Sequence, residues 1–284
     1  NGESILAGSG EIAAIFAGDD VATASISQTH IDHGGRGEAT LVVRQEGLLQ
    51  ALSGASLDFS LTYTFSAGSS QVDLKFRLKN SGASTFANNA AAAVEHIQSL
   101  NLNLPMHEIV AAQGFENDNL ALGPGGSATL HQDFNFPPMI GNGYDFANNN
   151  SLEHFEYNIQ HNEAIISSGQ RYHGAIGVST AQTHVQVAID DFWQRFPKAY
   201  EVNNAQLSIG LFPDGGYGPV YFGQYGSIFS TNPSTDPLSE NNYRLEGGRW
   251  SEENIRLNFS AHGEAQHNLS DFAAGLQEKV AGYP

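Results

Sequence analysis

The clearest pattern along the chain is a strict alternation of hydrophobic and polar residues over residues 56–80. Every second residue from Leu57 to Phe65 is hydrophobic, and the alternation resumes from Val72 to Leu78 after a run of small residues at 67–70. Successive side chains of a strand point to opposite faces of a sheet. The pattern therefore predicts a hairpin with one buried face and one solvent-exposed face.

Weaker alternation predicts strands along the rest of the chain. These are residues 11–17, 21–31, 39–45, 97–104, 128–136, 174–178, 184–189, 206–212 and 254–260. A helix is predicted over residues 270–281, where Phe272, Leu276 and Val280 recur at every fourth position. With 31 glycines and frequent turn residues between the strands, the chain reads as all-β. We predict a large antiparallel β-sandwich with a short C-terminal helix.

The organisation of the chain fits one domain with long surface loops. Residues 137–151 and 214–242 are rich in Gly, Asn, Pro, Tyr and Ser, and loops of that length are commonly functional. We assign residues 1–284 to a single sandwich domain, with N-terminal strands (1–37), a central sandwich (38–270) and the helix (270–282). The chain opens with Asn1-Gly2-Glu3, so we expect a processed or trimmed chain.

Charge and composition exclude several classes of function. The chain has 30 acidic and 12 basic residues, and its net charge of -18 would repel a nucleic acid backbone. It has no cysteine, which excludes disulfides, thiolate metal sites and thiol nucleophiles. No apolar run reaches the ~18 residues expected of a membrane span. A local cluster of Arg, Lys or His could still bind an acidic sugar despite the global charge.

The segment from Phe192 to Ala199, with the sequence Phe-Trp-Gln-Arg-Phe-Pro-Lys-Ala, is the most distinctive in the chain. Together with the Leu-Phe-Pro that ends the next predicted strand, it resembles the central β-sandwich domain of the rhamnogalacturonan exolyase-like family. Other segments follow in the family's order: residues 42–47, 63–68, 72–80, 94–97, 100–105, 169–174 and 247–249. The last departs from the family's Gly-Gly-x-Lys-Thr-like pattern. The resemblance spans residues 38–270 and implies a supersandwich of the galactose-mutarotase type.

This resemblance also implies a function and a location. Family members combine a barrel, this sandwich and an α/α toroid, and the sequence contains neither flanking domain. The resemblance implies a secreted protein, extracellular or periplasmic, that is derived from or part of a polysaccharide lyase. Its partner would be an acidic polysaccharide or oligosaccharide containing uronic acid, cleaved by β-elimination, and an α/α toroid would be the missing partner domain.

β-Elimination on a uronate needs a group that neutralises the carboxylate, a base for the C5 proton and an acid for the leaving oxygen. The predicted catalytic residues are Arg171, Tyr172 and His173, and the predicted substrate-binding residues are Arg195, Tyr243, Arg249 and Trp250. Further candidates are His96 beside Glu95, and Lys198 and Arg244. Each has a structural alternative: His96 is in phase with hydrophobic positions, Trp193 and Phe196 could be core, and Arg195 and Lys198 could cover apolar surface with their stems.

We predict no cofactor and no metal, because the 11 histidines show no zinc spacing. Weaker alternatives are chelation by the turn His30-Ile31-Asp32-His33, and calcium at residues 116–119. Two other functions stay open. A carbohydrate-binding module would use exposed Trp250, Tyr217, Tyr221 or Tyr225. A structural subunit of an extracellular assembly would self-associate by donating the strand at residues 12–16 to a neighbour.

Overall fold

The computed structural model describes residues 6–33, 39–82, 93–115, 120–134, 155–214, 242–261 and 267–281. Within these ranges the chain forms 17 strands of one antiparallel sheet and a C-terminal helix. The elements are β1 (Glu11–Phe16), β2 (Asp20–His33), β3 (Thr40–Ala51), β4 (Ser56–Ser66), β5 (Gln71–Lys79), β6 (Val94–Pro105), β7 (Ile109–Gln113), β8 (Leu120–Ala121), β9 (Ser127–Phe134), β10 (Phe155–His161), β11 (Ala164–Gly169), β12 (Ala175–Thr180), β13 (Thr183–Ile189), β14 (Lys198–Asn203), β15 (Gln206–Phe212), β16 (Tyr243–Glu246), β17 (Trp250–Ala261) and α1 (Leu269–Ala281).

The strands form one continuous hydrogen-bonded ribbon that folds over on itself. Its order is β8-β7-β12-β13-β17-β5-β4-β3-β2-β1-β6-β15-β14-β9-β10-β11, and β16 pairs with β6 beyond the end of β15. Both halves contribute to a single core, with Phe59 and Phe76 from one layer and Leu100 and Tyr200 from the other. The predicted all-β antiparallel sandwich with a C-terminal helix is confirmed.

The hairpin predicted from strict alternation is β4 and β5, at the centre of one layer. Leu57, Phe59 and Leu61 point into the core on β4, while Leu74 and Phe76 do so on β5. Burying a large apolar side chain of this kind contributes about 1.5–3 kcal/mol. The other predicted strands and the helix are also present within the described residues, and six further strands (β7, β8, β10, β11, β14 and β16) were not predicted.

Helix α1 covers the outer face of β12 and β13. Phe272 and Leu276 pack against Ala175 and Ala188, forming a small second core. The Asn268 side-chain oxygen accepts hydrogen bonds from the backbone N–H groups of the first turn, and so caps the helix. Because one face meets the main core and the other meets α1, nearly every residue of β12 and β13 is buried.

Residues 12–16, predicted to be donated to a neighbour, belong to β1, which pairs with β6 along its length and with β2 at Ala14–Phe16. Most of this strand is therefore paired within the chain, and self-association stays a prediction. Among the described residues, no helix is long and apolar enough to cross a membrane. The predicted loop at residues 137–151, nearly all of the predicted loop at 214–242 with its three tyrosines, and the calcium alternative at residues 116–119 lie outside the described residues.

Candidate functional site

A cleft of about 290 Å³ opens between the two layers, where the first residues of β6, β14 and β17 come together. Its polar lining consists of Gln194, Arg195, Lys198, Arg244, Ser251 and Glu253. Its apolar lining consists of Ile97, Phe196, Phe212, Leu245 and the ring of Tyr243. Charged groups and ring faces therefore meet in one concave site.

Lys198 and Glu253 face each other across this cleft from opposite layers. Lys198 shares its face of β14 with Tyr200 and Val202, both of which are core residues. Glu253 lies opposite Phe76 in the register of β17 and β5, and Phe76 also belongs to the core. The two side chains are only 2% and 3% exposed, and Lys198 Nζ lies 3.5 Å from Glu253 Oε1. Both charges thus occupy positions where the alternation calls for hydrophobic residues.

The Lys198 ammonium group is held mainly by backbone oxygens. Its Nζ donates hydrogen bonds to Leu211 O at 2.8 Å and Pro197 O at 3.4 Å, and lies 5.4 Å from the centre of the Phe212 ring. Burial lowers the pKa of Lys198, and the Glu253 carboxylate offsets part of that effect. Lys198 is therefore more easily deprotonated than an exposed lysine, which a general base requires.

The two oxygens of Glu253 have different surroundings. Oε1 lies 3.4 Å from Arg195 Nη2 and accepts a long hydrogen bond of 3.5 Å from Ser251 Oγ. Oε2 is buried and has no hydrogen-bond partner among the described residues. A buried carboxylate oxygen is unfavourable without a donor, so Oε2 is a natural acceptor for a hydroxyl group entering the cleft.

Strand β16 supplies the third cation and a tyrosine. Arg244 Nη2 lies 3.6 Å from Glu246, while its buried Nε has no hydrogen-bond partner within the described part of the chain. The Tyr243 hydroxyl donates to Pro213 O at 2.9 Å, and burial raises the pKa of Tyr243 well above its ordinary value. Tyr243 therefore lines the cleft with its ring but is unsuited to act as a base.

The lining as a whole is cationic. Among the described residues that line the cleft, Arg195, Lys198 and Arg244 are the cations and Glu253 is the carboxylate, while Glu246 pairs with Arg244 from outside the lining. The chain as a whole has a net charge of -18. An arrangement of this kind attracts a small anion and repels a cation.

The predicted catalytic residues lie elsewhere, just before β12, and do not line the cleft. Tyr172 is buried, its hydroxyl lies 2.7 Å from Gly114 O and 2.9 Å from Ala175 O, and burial raises its pKa. The hydroxyl proton is therefore committed to backbone carbonyls, which corresponds to a packing role. The catalytic roles of Arg171 and His173 stay predictions.

The environment of those two residues is aromatic. His173 Nδ1 accepts the Ala175 N–H at 3.2 Å, and its ring lies on the Tyr172 ring with centroids 4.2 Å apart. This contact shields the imidazole although the residue is exposed as a whole, and the shielding lowers the pKa of His173. The Arg171 guanidinium lies 4.8 Å from the centre of the Trp193 ring.

An aromatic chain connects this region to the cleft. The Phe155 ring makes edge contacts with Trp193 at 5.0 Å and with Phe196 at 5.4 Å, and Phe196 lines the cleft. The segment that carries the family resemblance thus stacks with Arg171 at one end and supplies Arg195 and Phe196 to the cleft at the other.

The predicted substrate-binding residues are divided between two places. Arg195 and Tyr243 line the cleft. Arg249 is exposed in the turn before β17, where its N–H donates to Glu246 O at 3.0 Å. Trp250 is 57% exposed and lies beneath the Arg77 guanidinium, on the outer face of the layer that contains β5 and β17. His96 and Glu95 do not line the cleft.

Glu253 was missed by sequence reasoning, although the sequence contains a signal for it. In β17 it is in phase with Ile255 and Leu257, which point into the core. A carboxylate at an inward position of an otherwise apolar face marks a functional or strained site.

Among the described residues, no group of three or more His, Asp or Glu side chains could hold a metal ion. His30 and His33, considered as chelators, are exposed near the end of β2.

No protein-family model matches the chain, and no curated protein matches it. Several solved structures align with the chain at low identity. The galactosidase domain of alpha-galactosidase-sucrose kinase aligns with 88% of this chain and 30% of its own length, at 10% identity and a TM-score of 0.37. The GH36 alpha-galactosidase AgaB from Geobacillus stearothermophilus aligns with 88% of this chain and 29% of its own length, at 10% identity and a TM-score of 0.40.

A TPR-domain containing protein from Parabacteroides distasonis is similar to the same extent. It aligns over 85% of this chain and 35% of its own length, at 10% identity and a TM-score of 0.40. The chain thus spans about a third of the length of these three proteins. Similarity at this level identifies neither a family nor a function.

Proposed function

We propose that this domain binds acidic saccharides in the cleft, and that it is derived from or part of a polysaccharide lyase acting on uronic-acid-containing polymers by β-elimination. The observation that carries the proposal is the cationic lining, in which Arg195 and Lys198 contact one buried carboxylate, Glu253, and Arg244 lies in the same cleft. The resemblance of residues 192–199 to rhamnogalacturonan exolyase-like proteins supports the same conclusion.

Each part of the lining matches a part of a uronate residue. Arg195 and Arg244 would bind the carboxylate, since a guanidinium pairs with a carboxylate through two parallel hydrogen bonds. Glu253 Oε2 would accept a hydrogen bond from a sugar hydroxyl, and the rings of Phe196 and Phe212 would contact the apolar face of the sugar. The volume of about 290 Å³ suits a small ligand such as one or two sugar rings.

The same groups can support the elimination step. Pairing of the uronate carboxylate with the two arginines acidifies the C5 proton. Burial lowers the pKa of Lys198, and its neutral amine form would take that proton on Nζ, while Arg195 and Arg244 keep the lining cationic. The electron pair of the C5–H bond then forms the C4–C5 double bond, and the C4–O bond to the leaving sugar breaks. The leaving oxygen takes a proton from solvent in the open part of the cleft.

The test is a comparison of acidic and neutral ligands by calorimetry. Trigalacturonate is expected to bind and galactotriose to bind much more weakly. Arg244→Gln should weaken trigalacturonate binding about tenfold or more, because a charge-assisted hydrogen bond contributes about 1.5–3 kcal/mol. Lys75→Gln removes the same charge from an exposed position of β5 that does not line the cleft, and should leave binding unchanged. Equal affinity for both sugars would contradict the proposal.

Lyase activity is tested separately, by following the ultraviolet absorbance of unsaturated uronate products. The polymers are rhamnogalacturonan, ulvan, alginate and glycosaminoglycans. A rise with the native chain that Lys198→Met abolishes supports elimination in the cleft. Uronate binding without product formation would support the binding part of the proposal and contradict the catalytic part.

A further inference from the structure

A second concave site lies on the outer face of the sandwich, on the opposite side of the sheet from the cleft. Strands β2 to β5 form there a polar groove of about 360 Å³. Its main polar residues are Arg44, Glu46, Asp58, Ser60, Arg77 and Lys79. Strand register aligns Glu46, Ser60 and Arg77 in one row across the sheet, so the polar groups form a continuous ladder.

Ion pairs hold these side chains in place. Arg44 Nη2 lies 2.7 Å from Glu46 Oε1. Arg77 donates from Nε and Nη2 to the same Glu252 oxygen, at 3.0 Å and 2.7 Å, while Lys75 contacts the other oxygen at 3.0 Å. Partial burial would raise the pKa of Glu252, but hydrogen bonds from Lys75 and Arg77 outweigh it and lower that pKa. The Arg77 guanidinium is therefore fixed before any ligand arrives.

Trp250 borders this groove and presents an aromatic surface to solvent. It lies directly opposite Lys79 in the register of β17 and β5, and Arg77 stacks 4.8 Å from the centre of its ring. The residue nevertheless keeps 57% of its surface exposed. An exposed indole that is held by a fixed cation, beside a polar groove, is a suitable platform for a sugar ring.

We propose that this groove and Trp250 form a second saccharide-binding site, which takes neutral rather than acidic sugars. Its lining mixes both signs of charge, since Arg44, Arg77 and Lys79 stand with the carboxylates of Glu46 and Asp58. A uronate entering the groove would meet carboxylates as well as cations, whereas sugar hydroxyls can donate to the carboxylates and accept from the cations. The apolar face of the sugar would stack on the indole.

This site does not rest on the function proposed for the cleft. Trp250 and Ser251 are consecutive residues of β17, and successive side chains of a strand point to opposite faces. Ser251 lines the cleft, and Trp250 borders the groove. Either site can therefore fail without the other.

The experiment uses the indole N–H signals of the full chain in a ¹H–¹⁵N spectrum. The sequence has only two tryptophans, so one signal reports on Trp250 and the other on Trp193. The probes are cellotetraose, galactotetraose and mannotetraose, with trigalacturonate as the acidic comparison. At least one neutral probe should shift the Trp250 signal in a saturable way. Trp250→Ala, followed by calorimetry, should weaken that binding at least about tenfold.

Two further variants make the result decisive. Glu252→Gln should also weaken neutral binding, because it releases the Arg77 guanidinium, while an unchanged Trp193 signal shows that the chain is folded. Arg244→Gln in the cleft should leave the Trp250 response unchanged. The proposal is overturned if no neutral probe shifts Trp250 at about 10 mM, well above a Kd of about 1 mM. It is also overturned if only the acidic probe does so, or if neutral binding survives Trp250→Ala.

Discussion

Lys198 Nζ and Glu253 Oε1 lie 3.5 Å apart, and the two side chains come from opposite layers of the sandwich. This distance exceeds that of a normal direct hydrogen bond. Burying the two charges costs desolvation energy, and at this distance their mutual attraction does not fully compensate for that cost. Replacing such a pair with apolar residues of similar size often increases the stability of the fold. A pair of this kind in a cleft is a candidate for ligand binding rather than for stability, which is the role proposed for it above.

Replacing one partner of this pair should destabilise the fold. Glu253→Leu leaves a buried ammonium without its carboxylate and should lower the free energy of unfolding by about 3 kcal/mol. The double variant Lys198→Met/Glu253→Leu should recover much of that loss, because no uncompensated charge remains. Urea denaturation of the two single variants and the double variant measures the coupling. Additive losses would show that the charges do not interact.

Catalysis in the cleft and catalysis by the residues before β12 predict opposite effects of substitutions. If elimination occurs in the cleft, Lys198→Met abolishes formation of the unsaturated product, while His173→Ala and Arg171→Ala leave most of it. Loss of product in the His173 or Arg171 variants, with Lys198→Met still active, would move the chemistry to the residues predicted from sequence. Circular dichroism of each variant serves as the folding control.

Tyr172 is expected to act through structure. Tyr172→Phe removes the hydroxyl that bridges Gly114 O and Ala175 O, and should lower the free energy of unfolding by about 1–3 kcal/mol. Any product formation should be unchanged at a temperature where the variant is folded. Tyr157→Phe is the matched control, because the Tyr157 ring packs edge-on against Tyr172 at 5.5 Å and is only partly buried. Loss of turnover without loss of stability would restore the catalytic prediction for Tyr172.

Stability should fall as the pH decreases through the ordinary pKa of histidine. Burial lowers the pKa of His131, although the Asp133 carboxylate partly opposes this, and its buried Nε2 has no hydrogen-bond partner among the described residues. Just below that ordinary value, the unfolded chain binds more protons than the folded chain, so acidification favours unfolding. His173, whose pKa burial also lowers, acts in the same direction.

His131→Gln isolates the contribution of His131. The difference in urea midpoint between about pH 7.5 and about pH 5.5 should be smaller in this variant than in the native chain. Glu95 and Glu201, whose pKa values burial raises, act in the opposite direction, and they are present in both proteins. Identical pH profiles would show that His131 is not shielded.

The cap of α1 should contribute measurably to stability. Asn268 Oδ1 accepts the N–H of Ser270 at 2.9 Å and that of Asp271 at 3.3 Å. Asn268→Ala should lower the free energy of unfolding by about 1 kcal/mol, and Ser270→Ala, at an exposed position of the first turn, should change it by less. Equal effects of the two substitutions would contradict the capping role.

Secondary structure was predicted best where one face of a strand or helix is buried and the other is exposed to solvent. Strands β4 and β5 and helix α1 carry regular periods, and all three were predicted. β16 has four residues, too few to show a period, and β14 carries a lysine at a core position. Strands β7, β8, β10 and β11 were also missed, and no single pattern accounts for them.

The candidate site was harder to predict because it combines residues that are distant in sequence. The sequence suggested Arg195 with Lys198, and Tyr243 and Arg244 with Arg249, as two separate groups of candidates. The folded ribbon brings four of these residues to one cleft with Glu253. Residues 171–173 were predicted to be catalytic because of their residue types. The tyrosine among them turned out to be a core residue, which composition could not reveal.

The opposed orientation of Trp250 and Ser251 has a consequence for how this protein can vary. Both positions follow directly from the turn at residues 247–249, where Gly248 adopts a φ of 80°. If β17 slipped by one residue against β5 and β13, its two faces would be exchanged. Trp250 would then face inward and Glu253 outward, so one register shift would alter both surfaces at once. Because buried Ile255 and Leu257 hold the register, length changes should be tolerated where the turn absorbs them without moving β17.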